Sequence, residues 1–152
     1  MSEPIFDSRS PRYELPYLFA GQAQKEGFVN EAFARIDALL HMAVEAAASS
    51  PPASPVEGTS WLIGADATGD WSGREGQIAT ATGNSWLFFE PRPGMRVLNR
   101  ATGQDMRFVN GWQSPSPPSP PVGGATVDAE SRQAIGAIIA VLAQAGLLAS
   151  GA

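Results

Sequence analysis

Ser85-Trp-Leu-Phe-Phe-Glu90 is the stretch whose reading decides the architecture. In an extended chain successive side chains point to opposite faces, so Trp86 and Phe88 share one face and Leu87 and Phe89 the other. Both faces are apolar, which predicts a strand covered on each side. Outward from it, β-type runs recur at Ser60–Ile63, Gln77–Ala81, Arg96–Asn99 and Asp105–Val109, separated by turn residues. Ala-Thr-Gly marks turns at 67–69, 81–83 and 101–103, and two of these lead within a few residues to Trp71 and Trp86. Asn110-Gly111 precedes Trp112, and Asn-Gly is a strong hairpin signal. Residues 51–113 therefore read as a small antiparallel β meander or sandwich of about five short strands.

Proline placement divides the rest of the chain. Residues 1–20 hold Pro4, Pro11 and Pro16, which resist helix and central strand, so this piece reads as an extended arm. Residues 21–50 read as an N-terminal helix with a stripe of Val29, Ala32, Phe33, Ile36, Leu39, Leu40, Ala43 and Val44, expected to be buried. Asn30 is its expected N-cap, and Ser49-Ser50-Pro51-Pro52 its stop. Residues 114–125 carry five prolines between 115 and 121 and then Gly123-Gly124, a semi-rigid linker with a swivel. Residues 126–152 hold a second helix, capped by Thr126 or Asp128, with a wide apolar surface from Ile135, Ile138, Ile139, Val141 and Leu142. Gly146 fits a glycine stop after which the chain folds back on Leu142. The fold class is α+β: arm and helix, β module, linker, C-terminal helix.

Composition limits the chemistry. The 152 residues are 43% hydrophobic and only 16% charged, with Gly 16, Pro 13 and Cys 0. Without cysteine there is no disulfide framework, thiolate chemistry or Cys-ligated zinc. A net charge of −5 argues against a nucleic-acid partner, which calls for a basic footprint. No apolar run approaches the ~18 residues of a membrane span. The N-terminus lacks the basic start and apolar stretch of a signal peptide. The only histidine, His41, follows Asp37 by four residues, the spacing of a pair on a helix surface. Glu57, Asp66, Asp70, Glu75, Glu90 and Asp105 read as solvated turn acids, since nothing fixes the separation a glycosidase needs. The loop Asp66–Glu75 lacks the alternating acids of a calcium hand, and no phosphate-cradling glycine motif exists. The expectation is a non-enzyme without metal or cofactor.

Four tryptophans carry the most information. Flat aromatic faces suit sugar rings, yet a thin β module also uses large rings as core. Trp61 and Trp86, within strands, are assigned to core. Trp71 and Trp112, beside turns, are the candidate carbohydrate-stacking platforms, with Asp70 and Arg74 as hydrogen-bonding neighbours. Tyr13, Tyr17 and Phe19 of the arm, Phe33 of the first helix, and Ile135, Ile138 and Leu142 of the second are the candidate docking and oligomerisation residues.

Leu15-Pro-Tyr-Leu-Phe-Ala-Gly-Gln-Ala-Gln-Lys25, Asn30-Glu-Ala-Phe-Ala-Arg-Ile-Asp-Ala-Leu39, Thr68-Gly-Asp-Trp-Ser-Gly-Arg-Glu-Gly76 and Trp86-Leu-Phe-Phe-Glu-Pro91 add a resemblance. Together they resemble an uncharacterised domain family of structural spike and fibre proteins in tailed phages, prophages and gene transfer agents. The resemblance covers roughly residues 13–113, and Asp128–Arg132 with Gly146-Leu147-Leu148 is similar to the terminal helix that closes such proteins. It implies a homo-oligomeric virion protein, made in the bacterial cytoplasm and carried on the particle surface. Its implied partners are capsid, portal, tail or fibre proteins, and host cell-surface polysaccharide. No catalytic residues come with it. Many relatives carry further receptor-binding modules after this domain, so the expectation here is a spike or fibre base. A carbohydrate-binding module proper is the alternative, and a polysaccharide-degrading enzyme the least favoured one.

Overall fold

Among the described residues, two helices and eight strands in two sheets give the α+β fold. The computed structural model describes residues 9–12, 15, 17–18, 25–124 and 127–149. They fall into two units, Met1–Pro91 and Arg92–Ala152, so the division lies inside the 51–113 stretch.

In the first unit α1 spans Glu26–Leu39 and ends well before residue 50. It starts after Lys25, four residues ahead of Asn30, which lies inside the helix rather than at its cap. The buried face is Asn30, Ala34, Asp37 and Ala38, at i, i+4, i+7 and i+8. Of the expected apolar stripe, Ile36, Leu39 and Leu40 are exposed and Val29 and Phe33 half-buried, while Val44 is buried beyond the end of the helix. Helix propensity in Ala46-Ala-Ala48 is overridden by long-range pairing. Ala43–Val44 forms β1 and Ala47–Ala48 forms β2, which runs parallel to β3 with Ala47 opposite Leu62 and Ala48 opposite Ile63. The Leu62 amide donates to the Ala46 carbonyl and the Gly64 amide to that of Ala48.

Strands β3 (Ser60–Ile63), β4 (Ile78–Thr82) and β5 (Ser85–Phe89) continue this sheet as an antiparallel meander in the order β2-β3-β4-β5. Gly83-Asn84 closes β4 onto β5, with Thr82 opposite Ser85. Each Ala-Thr-Gly echo ends in a glycine of left-handed backbone, Gly69 at φ 60°, Gly83 at 54° and Gly103 at 65°. The repeat is a turn device, used where a Cβ would be strained. Both faces of β5 are covered as its alternation requires. The Arg74 guanidinium lies 3.9 Å from the Phe88 ring centroid, and Arg35 sits 5.7 Å from that of Phe89.

In the second unit β6 (Arg96–Asn99), β7 (Gln104–Phe108) and β8 (Trp112–Gln113) are antiparallel in sequence order. Asn110-Gly111 lies in the β7–β8 turn, which brings Phe108 opposite Trp112. Residues 114–124 are exposed and without helix or strand. Helix α2 spans Ala129–Gln144, and the Asp128 carboxylate caps it by accepting from the Ser131 amide at 2.8 Å. That bond, with a second from the Ser131 hydroxyl, holds the Asp128 carboxyl below its ordinary 3.8. At the other end the Gly146 amide donates to Ala143 and the Leu147 amide to Leu142, a Schellman closure on Leu142. The Asp105 amide then holds the Gly146 carbonyl at 2.8 Å. The buried Gln104 amide nitrogen donates to the carbonyls of Pro115 and Leu147, stapling linker and helix end to β7.

Candidate functional site

Three tryptophans organise the first unit. Trp61 and Trp86 project from β3 and β5, and Trp71 enters from the loop between β3 and β4. Ring centroids lie 6.3 Å apart for Trp61–Trp71, 5.7 Å for Trp61–Trp86 and 5.1 Å for Trp71–Trp86, the last two edge-to-face. A short 3-10 turn, Gly69–Trp71, drives Trp71 inward. Its loop is tied down by the Thr68 amide on the Ser49 carbonyl and the Ala67 amide on the Glu75 carboxylate. Trp71 is 0% exposed and packs with Ile63, Ala67 and Ala79. It is therefore not an exposed platform. Its Nε1 is buried without a hydrogen-bond partner among the described residues.

The half-buried tryptophan beside it takes the exposed position. Trp86 lines a groove of about 310 Å³ with Pro51, Pro52, Pro55, Asp70, Gly83, Asn84 and Ser85. The groove joins one indole and a proline wall to a carboxylate, an amide and a hydroxyl, with no cation in its lining. Of the four residues picked from sequence, Asp70 alone lines it. Arg74 is engaged over Phe88, and Trp112 belongs to the other unit, half-buried with its ring edge-on to Phe108 at 5.3 Å. Trp86, Asn84 and Ser85 were missed. The sequence signal for them is the Gly83-Asn84 turn just before a strand whose second residue is tryptophan. Glu57, Asp66, Asp70, Glu75, Glu90 and Asp105 are all exposed. Among the described residues no group of three His, Asp or Glu is placed to hold a metal ion.

The arm is clamped to its own unit. The Ser10 hydroxyl donates to Asp37 Oδ1 at 2.6 Å and the Arg12 amide to Oδ2 at 3.0 Å. The Arg12 guanidinium donates to the carbonyls of Asp37, Ala38 and His41, where the chain leaves α1 with His41 at φ 45°. A cation on the last carbonyls of a helix also answers its dipole. Asn30 exchanges two bonds with the backbone of Leu18. Tyr17 is 7% exposed, and burial, then the carboxylates of Asp37 and Glu57, push its phenol above 10.0. Tyr17 thus docks within its own unit. Tyr13 and Phe19 lie outside the described residues, and Phe33 is half-buried.

Helix α2 is the opposite case. None of its sixteen residues is buried. Ile135, Ile138, Val141 and Leu142 are exposed, Ile138 by 59% and Val141 by 62%. Ala137, Ile138, Val141 and Leu142 ring an apolar dimple on its surface. The docking residues chosen on this helix are therefore displayed.

No curated protein matches this sequence. Residues 29–113 match the family described as "Protein of unknown function (DUF2793)", a span reaching from within α1 to the end of β8. That span is more than half of the chain, and the protein belongs to the DUF2793 family.

Proposed function

We propose that this protein is a non-catalytic structural component of a tailed-phage or gene-transfer-agent particle, the base of a spike or fibre. The observation that carries the reading is α2, a sixteen-residue helix with no buried residue and four large aliphatic side chains in solvent. An isolated helix of this length is marginal in water, so its stability has to come from packing against something outside its own unit's sheet. Contiguous exposed apolar surface of this kind marks an interaction site. The tether fits the same use: a proline linker on one side, the Gln104 staple on the other. The resemblance in Leu15–Lys25 and Asn30–Leu39 supplies the kind of particle. Membership is tested by purifying particles from a producing strain and measuring the chain by quantitative mass spectrometry. A fixed copy number per particle is expected; absence from purified particles overturns the reading.

A second role, contact with host-surface polysaccharide, is favoured by the Trp86 groove. An indole face beside Asp70, Asn84 and Ser85 offers a sugar ring both stacking and hydroxyl partners. Asn84→Ala and Asp70→Ala, both at exposed positions, are expected to weaken binding to purified host polysaccharide more than tenfold. Trp112→Ala is expected to leave it unchanged. The opposite ranking, or no binding by the unaltered protein, removes this role.

A further inference from the structure

We propose that the recess beside Arg96 and Arg107, on β6–β8, is a docking site for a carboxylate-bearing peptide segment of a partner protein. The inference goes beyond the structural-component reading and rests on it only for the place where that partner is met.

The distribution of charge comes first. The chain as a whole carries a net charge of −5. Residues 92–113 run against it, with Arg92, Arg96, Arg100 and Arg107 against a single acid, Asp105, for a net +3. A short basic block in an acidic chain draws anions to one place and repels them from the rest.

Strand pairing concentrates two of these charges. Along β6 and β7, Arg96 and Arg107 alternate with the buried Val97 and Met106, and both arginines are exposed. Arg96 lies directly opposite Arg107, and Arg107 directly opposite Gln113. At roughly 4.8 Å between neighbouring strands, the three residues form a row about 10 Å long. Like charges directly opposite in a sheet are destabilising. Among the described residues neither guanidinium has an ion pair or a hydrogen bond to offset that repulsion.

The row borders a recess of about 190 Å³. Arg96, Arg107, Gln113 and Asp105 are its polar lining, and Pro115 and Leu147 give it an apolar wall. Buried Gln104 fixes that wall, because its Nε2 donates to the carbonyls of Pro115 at 2.6 Å and Leu147 at 3.3 Å. Two guanidinium groups and one carboxylate leave the recess at net +1, the complement of one carboxylate rather than of a phosphate dianion. A guanidinium fork takes a carboxylate through two parallel hydrogen bonds. That leaves the Gln113 amide for the peptide backbone and the apolar wall for an aliphatic residue beside the acid. Among the described residues no aromatic ring lines the recess, so a sugar ring or a nucleobase finds nothing to stack on. The combination favours an acidic peptide over an acidic polysaccharide or a nucleic acid. The Trp86 groove has the reverse character, an indole and no cation, so the two sites read different ligands.

The test uses the full chain and a fluorescein-labelled synthetic peptide alternating glutamate and leucine, followed by fluorescence anisotropy. The peptide is expected to bind, and its binding to weaken with added salt. Arg96→Gln and Arg107→Gln are each expected to weaken it about tenfold, as is glutamine in place of the peptide's glutamates, the worth of one hydrogen bond to a charged group. Arg92→Gln removes the same charge outside the recess and is expected to leave binding unchanged. The denaturant midpoint is the second readout. Arg96→Gln and Arg107→Gln each remove a like-charge contact, so the midpoint is expected to hold or to rise; a fall marks a structural role and overturns the inference. No binding by the unaltered protein, equal binding of the glutamine peptide, or unchanged binding by both arginine variants overturns it as well. Polygalacturonate or a single-stranded DNA oligonucleotide that displaces the peptide at lower concentration than the unlabelled peptide overturns the choice of partner. The two readings separate cleanly. A chain found in particles that binds no acidic peptide sinks this site alone, and a chain that binds the peptide but is absent from particles sinks the particle role alone.

Discussion

The tryptophan layer of the first unit and helix α2 of the second use apolar residues in opposite ways. In the first, Trp61, Trp71 and Trp86 close on one another, and a loop full of polar residues, Asp66–Glu75, folds inward to deliver Trp71. In α2 Ile135 and Ile138 stand exposed, and among the described residues no side chain of the helix is buried. The difference teaches where stability resides. Sheet β2–β5 carries its own core, whereas α2 has caps and a closed C-terminus but no core. A helix with its ends finished and its face open fits the proposed role, in which another chain completes it.

The largest way to break this comparison is Trp71→Ala. Removing a fully buried indole from the cluster is expected to cost about 3–5 kcal/mol, read as a lowered denaturant midpoint of the tryptophan fluorescence transition. An unchanged midpoint would mean that the tryptophans are not the core of the first unit. Next in size is Asp37→Ala. It leaves Ser10 and the Arg12 amide without their acceptor in a buried place, an expected loss of about 1–3 kcal/mol, read by the same unfolding curve. Proteolysis should also release the arm first. If stability and protease resistance both hold, the arm contributes nothing to the first unit. The smallest effect concerns the helix cap. Asp128 has its carboxyl held below 3.8, so its contribution is present above that pH and is lost as pH falls through the lowered value. Acid titration of the α2 helix signal should therefore show a step below pH 3.8 that is absent in Asp128→Ala. The same step in both proteins removes the cap.

Local chemistry was legible in the sequence and distant pairing was not. Ser60–Ile63, Ser85–Phe89 and Arg96–Asn99 are strands with the bounds their alternation and turns imply. The Asp128 cap and the Gly146 stop also follow from residues within one helical turn. Ala46-Ala-Ala48 misled because its strand state depends on Leu62 and Ile63, some fifteen residues away. The apolar stripe of α1 misled for a similar reason. Asp37 and Asn30 face inward because Ser10, Arg12 and Leu18 supply their hydrogen bonds, and no periodicity records such partners. Trp71 sits between Asp70 and Ser72 and reads as a surface residue until Thr68 is seen bound to Ser49. Asp70 lines the groove beside Trp86 because that groove borders its turn.

The most direct measurement of the contrast is amide hydrogen exchange of the full chain across a range of protein concentration. Protection of β3–β5 amides is expected to be independent of concentration, and protection of α2 amides between Ile135 and Leu142 to rise steeply with it. Equal, concentration-independent protection of both would contradict the claim that α2 is completed by another chain.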